Sequence, residues 1–89
     1  MKLKAKHILV NHEYEAKDIL KKLQAGEEFE KLARDFSLCG SAGNGGDLGE
    51  FRKGMMVSSF EKALLALAPQ QISGIVKTQF GYHIIKRLS

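Results

Sequence analysis

Residues 2–7 alternate between lysine and a residue of another type, and this period of two is that of a β-strand. One face of the predicted strand takes Leu3, Ala5, His7 and Leu9, and the opposite face takes Lys2, Lys4 and Lys6. The first face should be buried, so the pattern places the titratable ring of His7 in the interior. The stretch "GYHIIKRL" at residues 81–88 repeats this feature with His83.

Two amphipathic helices are predicted after this strand. Asn11 is expected to cap the first helix, which runs through Gln24 or Ala25 and stops at Gly26. Its apolar residues have the i, i+3, i+4, i+7 spacing of one buried stripe, namely Ala16, Ile19, Leu20 and Leu23. The same spacing predicts a second, shorter helix over Phe29, Leu32, Ala33 and Phe36.

The second half of the chain starts with a glycine-rich segment. Residues 37–50 hold five of the nine glycines and are predicted to form a long loop, with a short strand from Leu48 to Phe51. Ser58 and Glu61 have the spacing of a capping box ahead of a third helix, which Pro69 closes and whose apolar face carries Phe60, Ala63, Leu64 and Leu67. Two strands, Ile75–Lys77 and Tyr82–Leu88, are joined by a turn at residues 79–81. The predicted order is β-α-α-β-α-β-β.

Composition narrows the class of protein. The chain has 89 residues, of which 44% are hydrophobic and 27% charged, as expected for one globular domain over residues 1–89. No apolar run approaches the roughly 18 residues of a membrane span. Met1 leads directly into the lysine-rich strand without a signal sequence, which favours a cytoplasmic location unless the domain is cut from a larger exported protein. The single cysteine, Cys39, excludes an internal disulfide and fits a reducing compartment.

The net charge of +4 leaves open a basic interaction surface. The lysines that could form a patch for nucleic acid or an anionic membrane are Lys2, Lys4, Lys6, Lys17, Lys21 and Lys22. A protein that binds single-stranded nucleic acid requires aromatic residues interleaved with the basic ones, and none is interleaved with these lysines. An ordinary solvated surface is the alternative.

Histidine and cysteine raise two further possibilities. The three histidines and one cysteine show no C-x-x-C or H-x-x-x-H spacing, so no metal site is predicted. Cys39 could act as a nucleophile with His7 or His83 as its base. However, an isolated cysteine with no helix predicted to start just after it is more often inert. The glycine-rich segment lacks the G-K-[ST] ending of a phosphate-binding loop, and its "NGGD" is a tight-turn sequence.

Four segments taken together resemble one protein family. They are "AKHIL", "FSLCGSAGNGGDLGEF", "GMMVSSFEKALLAL" and "TQFGYHIIK", in this order over essentially the whole chain. In this combination the chain resembles the parvulin-type peptidyl-prolyl cis/trans isomerases, in their stand-alone single-domain form. The resemblance implies an α+β fold with a four-stranded antiparallel sheet surrounded by helices. It also implies a substrate groove on the exposed face of the sheet, no cofactor and a monomer.

The resemblance also implies roles for eight residues. The two histidines should lie side by side on the central strands and share a hydrogen bond beneath the site, since neutral imidazoles can donate to and accept from each other. The implied catalytic group is His7, Cys39, Thr78 and His83, and the implied substrate-binding group is Leu48, Met56, Phe60 and Phe80. The family has cysteine or aspartate at the position of Cys39, which argues against an obligatory nucleophile. Taken alone, Met55, Met56 and Phe60 would simply be core residues.

The departures from the family pattern bear on specificity. Relatives that require a phosphorylated residue before proline have a basic loop after the first strand, whereas this chain has the short "NHEYEA" with Glu13 and Glu15. Ser58 and Ser59 stand where proline is frequent, which should alter the pocket rim, and Ile75 replaces another frequent proline. The predicted function is isomerisation of X–Pro bonds in proline-containing peptides and unfolded chains, without phospho-specificity. A peptide-binding chaperone module and a basic surface-associating protein are the alternatives.

Overall fold

The alternating segment forms β1, one of two central strands in an antiparallel sheet. The computed structural model describes residues 2–89. In chain order its elements are β1 (Lys2–Val10), α1 (Glu13–Gln24), α2 (Phe29–Phe36), a 3-10 helix (Gly40–Asn44), β2 (Asp47–Arg52), α3 (Ser58–Leu65), β3 (Val76–Thr78) and β4 (Gly81–Arg87). The predicted α+β class and order of strands and α-helices are confirmed.

The strand register brings the two inward histidines together. The sheet order is β2-β1-β4-β3, and every neighbouring pair is antiparallel. Between the central strands, His7 is opposite Ile85 and Leu9 is opposite His83. His7 and His83 are therefore diagonal neighbours on one face of the sheet, within reach of each other's side chains.

Helices cover both faces of the sheet. On one face, α1 and α2 pack against Ile8, Val10 and Ile84. On the other face, Phe60 and Leu64 of α3 join a cluster completed by Leu3, Ala5, Phe51 and Ile85. The alternation of β1 predicts a single inward face and is wrong for the second half of the strand, where both faces are buried. The run of apolar residues after His7 is the pattern of a strand covered on both sides.

Most of the lysines proposed for a basic patch are paired with carboxylates. The Nζ atom of Lys6 lies 3.0 Å from Glu30 Oε2, and that of Lys86 lies 3.7 Å from the same oxygen, so α2 is tied to the sheet. The other pairs are Lys2–Glu50, Lys17–Glu13 and Lys22–Asp18. These carboxylates reduce the free positive charge that a polyanion would meet. Of the helices in residues 2–89, none has the length and hydropathy to cross a membrane.

Two predicted helix starts are wrong by one residue. The N-cap of α1 is His12 rather than Asn11, and its backbone N–H donates to Glu15 Oε1. In α3 the cap is Val57, so Ser58 is already helical and the predicted capping box does not form. The Glu61 carboxylate instead accepts a hydrogen bond from the Gly54 N–H.

Two apolar side chains leave the predicted helix stripes. Phe36, at the end of α2, is 45% exposed although its spacing predicts burial. Leu67 lies beyond the end of α3. Both residues occur at helix ends, where the chain turns away and the helical spacing no longer decides which side chains are covered.

The glycine-rich segment is more ordered than predicted. A 3-10 helix occupies Gly40–Asn44, and β2 follows at Asp47. Gly46 has φ of 84°, and a Cβ atom there would collide with the carbonyl oxygen of His7. The His7 N–H donates to the Gly46 carbonyl at 2.9 Å. Glycine is required at this position because the segment approaches the β1 backbone so closely.

Candidate active site

A groove of about 410 Å³ lies over the sheet face that carries the two histidines. Its walls are mainly apolar, and the residues that line it are His7, Leu9, Cys39, Leu48, Met55, Met56, Val57, Phe60, Phe80 and His83. Among these described residues there is no Lys, Arg, Asp or Glu. Mostly apolar walls with a few convergent polar groups are typical of a ligand site, and the volume suits a few residues of a peptide.

The floor of the groove contains a chain of hydrogen bonds. His7 Nδ1 lies 3.1 Å from His83 Nδ1, and both rings are buried. His83 Nε2 lies 2.7 Å from Thr78 Oγ1, which in turn accepts the Phe80 N–H at 3.2 Å. The β3–β4 turn therefore holds the His83 ring through Thr78, and His83 holds the ring of His7.

The pair is asymmetric, which corrects the expectation that the two rings satisfy each other. His83 uses both ring nitrogens, whereas the buried Nε2 of His7 has no hydrogen-bond partner among residues 2–89. An Nδ1–Nδ1 bond needs one ring to donate and the other to accept. Each orientation leaves His7 Nε2 without a partner.

The environment keeps both imidazoles neutral near pH 7. Burial, and secondarily the nearby His83, lowers the pKa of His7 to about 4. Burial likewise lowers the pKa of His83. Neutral rings can form the Nδ1–Nδ1 bond, whereas two imidazolium rings cannot donate to each other.

Phe60 of α3 joins the histidines to the apolar wall. Its ring lies edge-to-face with both imidazoles, with centroids 5.6 Å from His7 and 5.4 Å from His83. The imidazoles themselves are stacked, with an interplanar angle of 20°. These contacts fix the orientation of both polar rings against α3.

Cys39 lies at the N-cap position of the 3-10 helix, which corrects the prediction that no helix starts just after it. The thiol makes no capping hydrogen bond and is partly exposed in the groove wall. Its backbone segment is attached to β1, because the Leu38 N–H donates to the Leu9 carbonyl at 2.8 Å. The thiol is thus a polar group held at the side of an apolar groove.

The methionine wall of the groove is held by a turn at residues 52–55. The Met55 N–H donates to the Arg52 carbonyl, and Gly54 has φ of 94°. The Gly54 N–H donates to the Glu61 carboxylate of α3. Glu61 therefore connects the helix that carries Phe60 to the turn that carries Met55 and Met56.

Seven of the eight site residues predicted from the sequence line the groove. The eighth, Thr78, lies behind His83 and bonds to it. Sequence reasoning missed Leu9, Met55 and Val57. Leu9 shares a strand face with His7, and Met55 and Val57 flank Met56, so adjacency to predicted site residues was the available signal. Nowhere in residues 2–89 do three His, Cys, Asp or Glu side chains converge in an arrangement that could hold a metal ion.

Comparison with known proteins gives one consistent family. Residues 4–89 match the family described as rotamase, PPIC-type PPIASE domain. The chain is 52% identical over 86 residues to the foldase protein PrsA of Geobacillus kaustophilus, covering 96% of this chain and 31% of that protein. The crystal structure of PrsA from Bacillus anthracis superposes with a TM-score of 0.96 at 48% identity, covering 99% of this chain and 41% of that one.

A small relative matches over nearly its full length. The solution structure of NmPin, the parvulin of Nitrosopumilus maritimus, has a TM-score of 0.86 and 49% identity. The match covers 99% of this chain and 96% of that one. By contrast, this chain spans about a third of the length of the curated PrsA relatives that it matches.

Proposed function

Because the chain belongs to the PPIC-type peptidyl-prolyl isomerase family, the parvulins, we propose that it catalyses rotation about X–Pro bonds in unfolded or flexible chains. The observation that carries the proposal is the apolar groove built directly against the His7–His83 pair. The family match does not depend on this geometry, so the two arguments are independent.

The chemistry requires no bond cleavage. Rotation about the C–N bond costs about 18–20 kcal/mol because the twisted amide loses resonance. The uncatalysed exchange of X–Pro bonds takes tens to hundreds of seconds. Each ~1.4 kcal/mol removed from the barrier accelerates the exchange about tenfold. A site that holds one side of the bond and favours the twisted amide is therefore sufficient.

The apolar wall supplies the first effect. Leu48, Met56 and Phe60 form a surface of an aliphatic, a thioether and an aromatic side chain, which suits the pyrrolidine ring of proline. A proline held there leaves the preceding carbonyl free to rotate. The wall also excludes water, and a planar amide, with its large charge separation, loses more from this than the twisted amide does.

The polar groups supply the second effect without a covalent step. As resonance breaks, the carbonyl oxygen loses negative charge and the nitrogen becomes pyramidal, so preoriented polar groups can favour the twisted state. Cys39 stands at the side of the groove, and the chain from Thr78 through His83 to His7 forms its floor. We assign these residues to orientation and polarity, with no role for His7 or His83 as a base.

The charge around the groove determines the preferred residue before proline. A phosphorylated or acidic residue finds no Lys or Arg among the described groove-lining residues. The helix after β1 begins with Glu13 and Glu15 in its first turn. We therefore expect uncharged or basic residues before proline to be preferred over phosphorylated or acidic ones.

A peptide series tests both parts of the proposal. Protease-coupled assays would compare Ala-Pro, Lys-Pro, Glu-Pro and phosphoserine-Pro tetrapeptides. We expect acceleration of all uncharged and basic peptides and the lowest kcat/KM for phosphoserine-Pro. No acceleration of any peptide contradicts the activity, whereas fastest turnover of phosphoserine-Pro contradicts only the specificity.

A cytoplasmic location, a monomeric state and a single domain over residues 1–89 stay predictions from the sequence. The lone Cys39, which offers no internal disulfide, supports the first of these.

A further inference from the structure

Three exposed apolar side chains, Tyr14, Phe36 and Leu38, lie around the C-terminal end of β1. The large hydrophobic residues that are exposed in residues 2–89 are Tyr14, Phe36, Leu38, Met55, Ile72 and Phe80. Met55 and Phe80 line the groove. Tyr14 and Phe36 line a second hollow of about 330 Å³, whose floor includes Val10 and Ile19. Scattered exposed hydrophobics are ordinary, but contiguous ones mark interaction surfaces.

The groove and the second hollow lie on opposite faces of the sheet and are connected by two short segments. In β1, Leu9 lines the groove on the histidine face, and the next residue, Val10, lines the hollow on the face under α1 and α2. At the end of α2, Phe36 lines the hollow, and Cys39, three residues later, lines the groove. Leu38, 59% exposed, lies between them. The Leu38 and Leu9 backbones are hydrogen-bonded at 2.8 Å, so the two segments form one fixed connection.

We propose that Tyr14, Phe36 and Leu38, here called the auxiliary surface, bind apolar side chains of the same unfolded polypeptide whose proline occupies the groove. This inference rests on the proposed function. The occupant follows from continuity, because a chain that leaves the groove past Leu9 and Cys39 meets Leu38 next. Folded substrates would keep their apolar residues buried, so the auxiliary surface selects unfolded segments.

The size of the domain sets the length of substrate required. Its two shorter extents are 24 and 23 Å. An extended chain advances ~3.3 Å per residue, so roughly seven residues beyond the proline are needed to pass from one face of the sheet to the other. A tetrapeptide therefore occupies the groove alone, and a longer peptide reaches both places.

The charges at the second hollow do not add an electrostatic requirement. Its carboxylates are Glu15, which accepts the His12 N–H, and Asp18, which lies 3.7 Å from Lys22 Nζ. The same Lys22 ammonium lies 5.9 Å from the centroid of the Phe36 ring. Asp18 is paired with Lys22, Glu15 is bonded at the start of α1, and the residues of the auxiliary surface are uncharged, so we expect the gain from a longer substrate to persist at high salt.

The test compares a Tyr14→Ser/Leu38→Ser variant with wild type on three peptides. One is an Ala-Pro tetrapeptide. The other two carry an extension of ten residues with two leucines, placed before the proline in one peptide and after it in the other. We expect KM of one extended peptide to rise roughly tenfold in the variant. Both kinetic constants for the tetrapeptide should stay at the wild-type value. Ile72→Ser is the matched control, because it removes an exposed hydrophobic residue elsewhere.

Three results contradict binding at the auxiliary surface: an unchanged KM for both extended peptides, an equal rise in KM for the tetrapeptide, or the same rise in KM in the Ile72→Ser control. Direct titration of the labelled extended peptide keeps this test separate from the proposed activity. Tighter binding to wild type than to the double variant supports the surface even where no isomerisation is detected. Equal binding contradicts the surface even where the tetrapeptide is turned over.

Discussion

At the scale of single residues, the site depends on two histidines that do not have equal roles. His83 is bonded on both sides, to His7 and to Thr78, whereas His7 has one partner and a buried nitrogen without any. A buried donor or acceptor that loses its partner costs about 1–3 kcal/mol. The pair should therefore contribute to the stability of the domain as well as to the shape of the groove.

A double-mutant cycle with His7→Leu and His83→Phe tests this coupling. We expect each single variant to lower the free energy of unfolding by roughly 1–3 kcal/mol. His83→Phe should cost more, because it deprives both His7 and Thr78 of a partner. The double variant should lose less than the sum, since His7→Leu removes the ring that His83→Phe orphans. Denaturant unfolding measures all three, and additive losses mean that the rings do not interact.

The lowered pKa values of His7 and His83 predict how stability depends on pH. The pKa of His7 is about 4 in the folded protein, against about 6.5 in the unfolded chain. The unfolded chain therefore binds more protons between these two pKa values. The stability that neutral His7 contributes to the folded protein is complete above the unfolded pKa and is lost as pH falls towards the folded pKa. From pH 7 to pH 5 we expect His7 alone to remove about 2 kcal/mol from the free energy of unfolding. In the His7→Leu/His83→Phe variant, the free energy of unfolding, measured from unfolding curves at each pH, should change less between pH 7 and pH 5 than in wild type. An equal change in both proteins contradicts the account.

Cys39 is the residue whose substitution separates polarity from nucleophilicity. We expect Cys39→Ala to lower kcat/KM about tenfold, as for the loss of one polar contact. Cys39→Asp should keep more activity than Cys39→Ala, because aspartate retains a polar group at the side of the groove. Loss of all activity in Cys39→Asp with the fold intact, or a trapped covalent adduct, would show that the sulfur itself reacts.

At the scale of elements, the groove is assembled from pieces that local sequence patterns do not connect. The order of strands and helices could be predicted from periodicity and turn residues. The strand pattern and residue chemistry single out His7, His83 and Cys39, but the apolar wall could be named only through the family resemblance, because Leu48 and Phe60 come from separate elements. The predictions of the helix caps were wrong because capping depends on backbone geometry. Glu61 has the right spacing for a capping box with Ser58 but accepts a hydrogen bond from the Gly54 N–H instead. The lack of a hydrogen-bond partner for His7 Nε2 depends on the register between β1 and β4, which the sequence alone does not reveal.

The bond between Glu61 and Gly54 predicts an effect on the groove from outside it. Without this acceptor, the turn at residues 52–55 and its methionines should become mobile. We expect Glu61→Ala to raise KM several-fold with a smaller change in kcat, and Glu61→Gln to recover most of the loss because its amide oxygen still accepts. Steady-state kinetics of both variants check this, with Lys62→Ala as the exposed neighbouring control. Equal behaviour of the alanine and glutamine variants contradicts a positioning role.

At the scale of the whole molecule, helices lie on both sides of one four-stranded sheet and leave part of the histidine face open. The cluster under α1 and α2 and the cluster under α3 bury most of the central strands, and the groove lies where the second cluster ends. A domain of this size then presents a preformed apolar site with a rigid polar floor. That arrangement suits a reaction that needs positioning and polarity alone.

Exchange NMR on an Ala-Pro tetrapeptide, with the protein at a small fraction of the peptide concentration, tests this account most directly. The account predicts cis/trans exchange cross-peaks that grow with protein concentration, together with chemical-shift changes at Leu48, Met56 and Phe60. The Cys39→Asp variant should still give cross-peaks. Shift changes at these groove residues without any acceleration of exchange would contradict the account and identify a peptide-binding module instead.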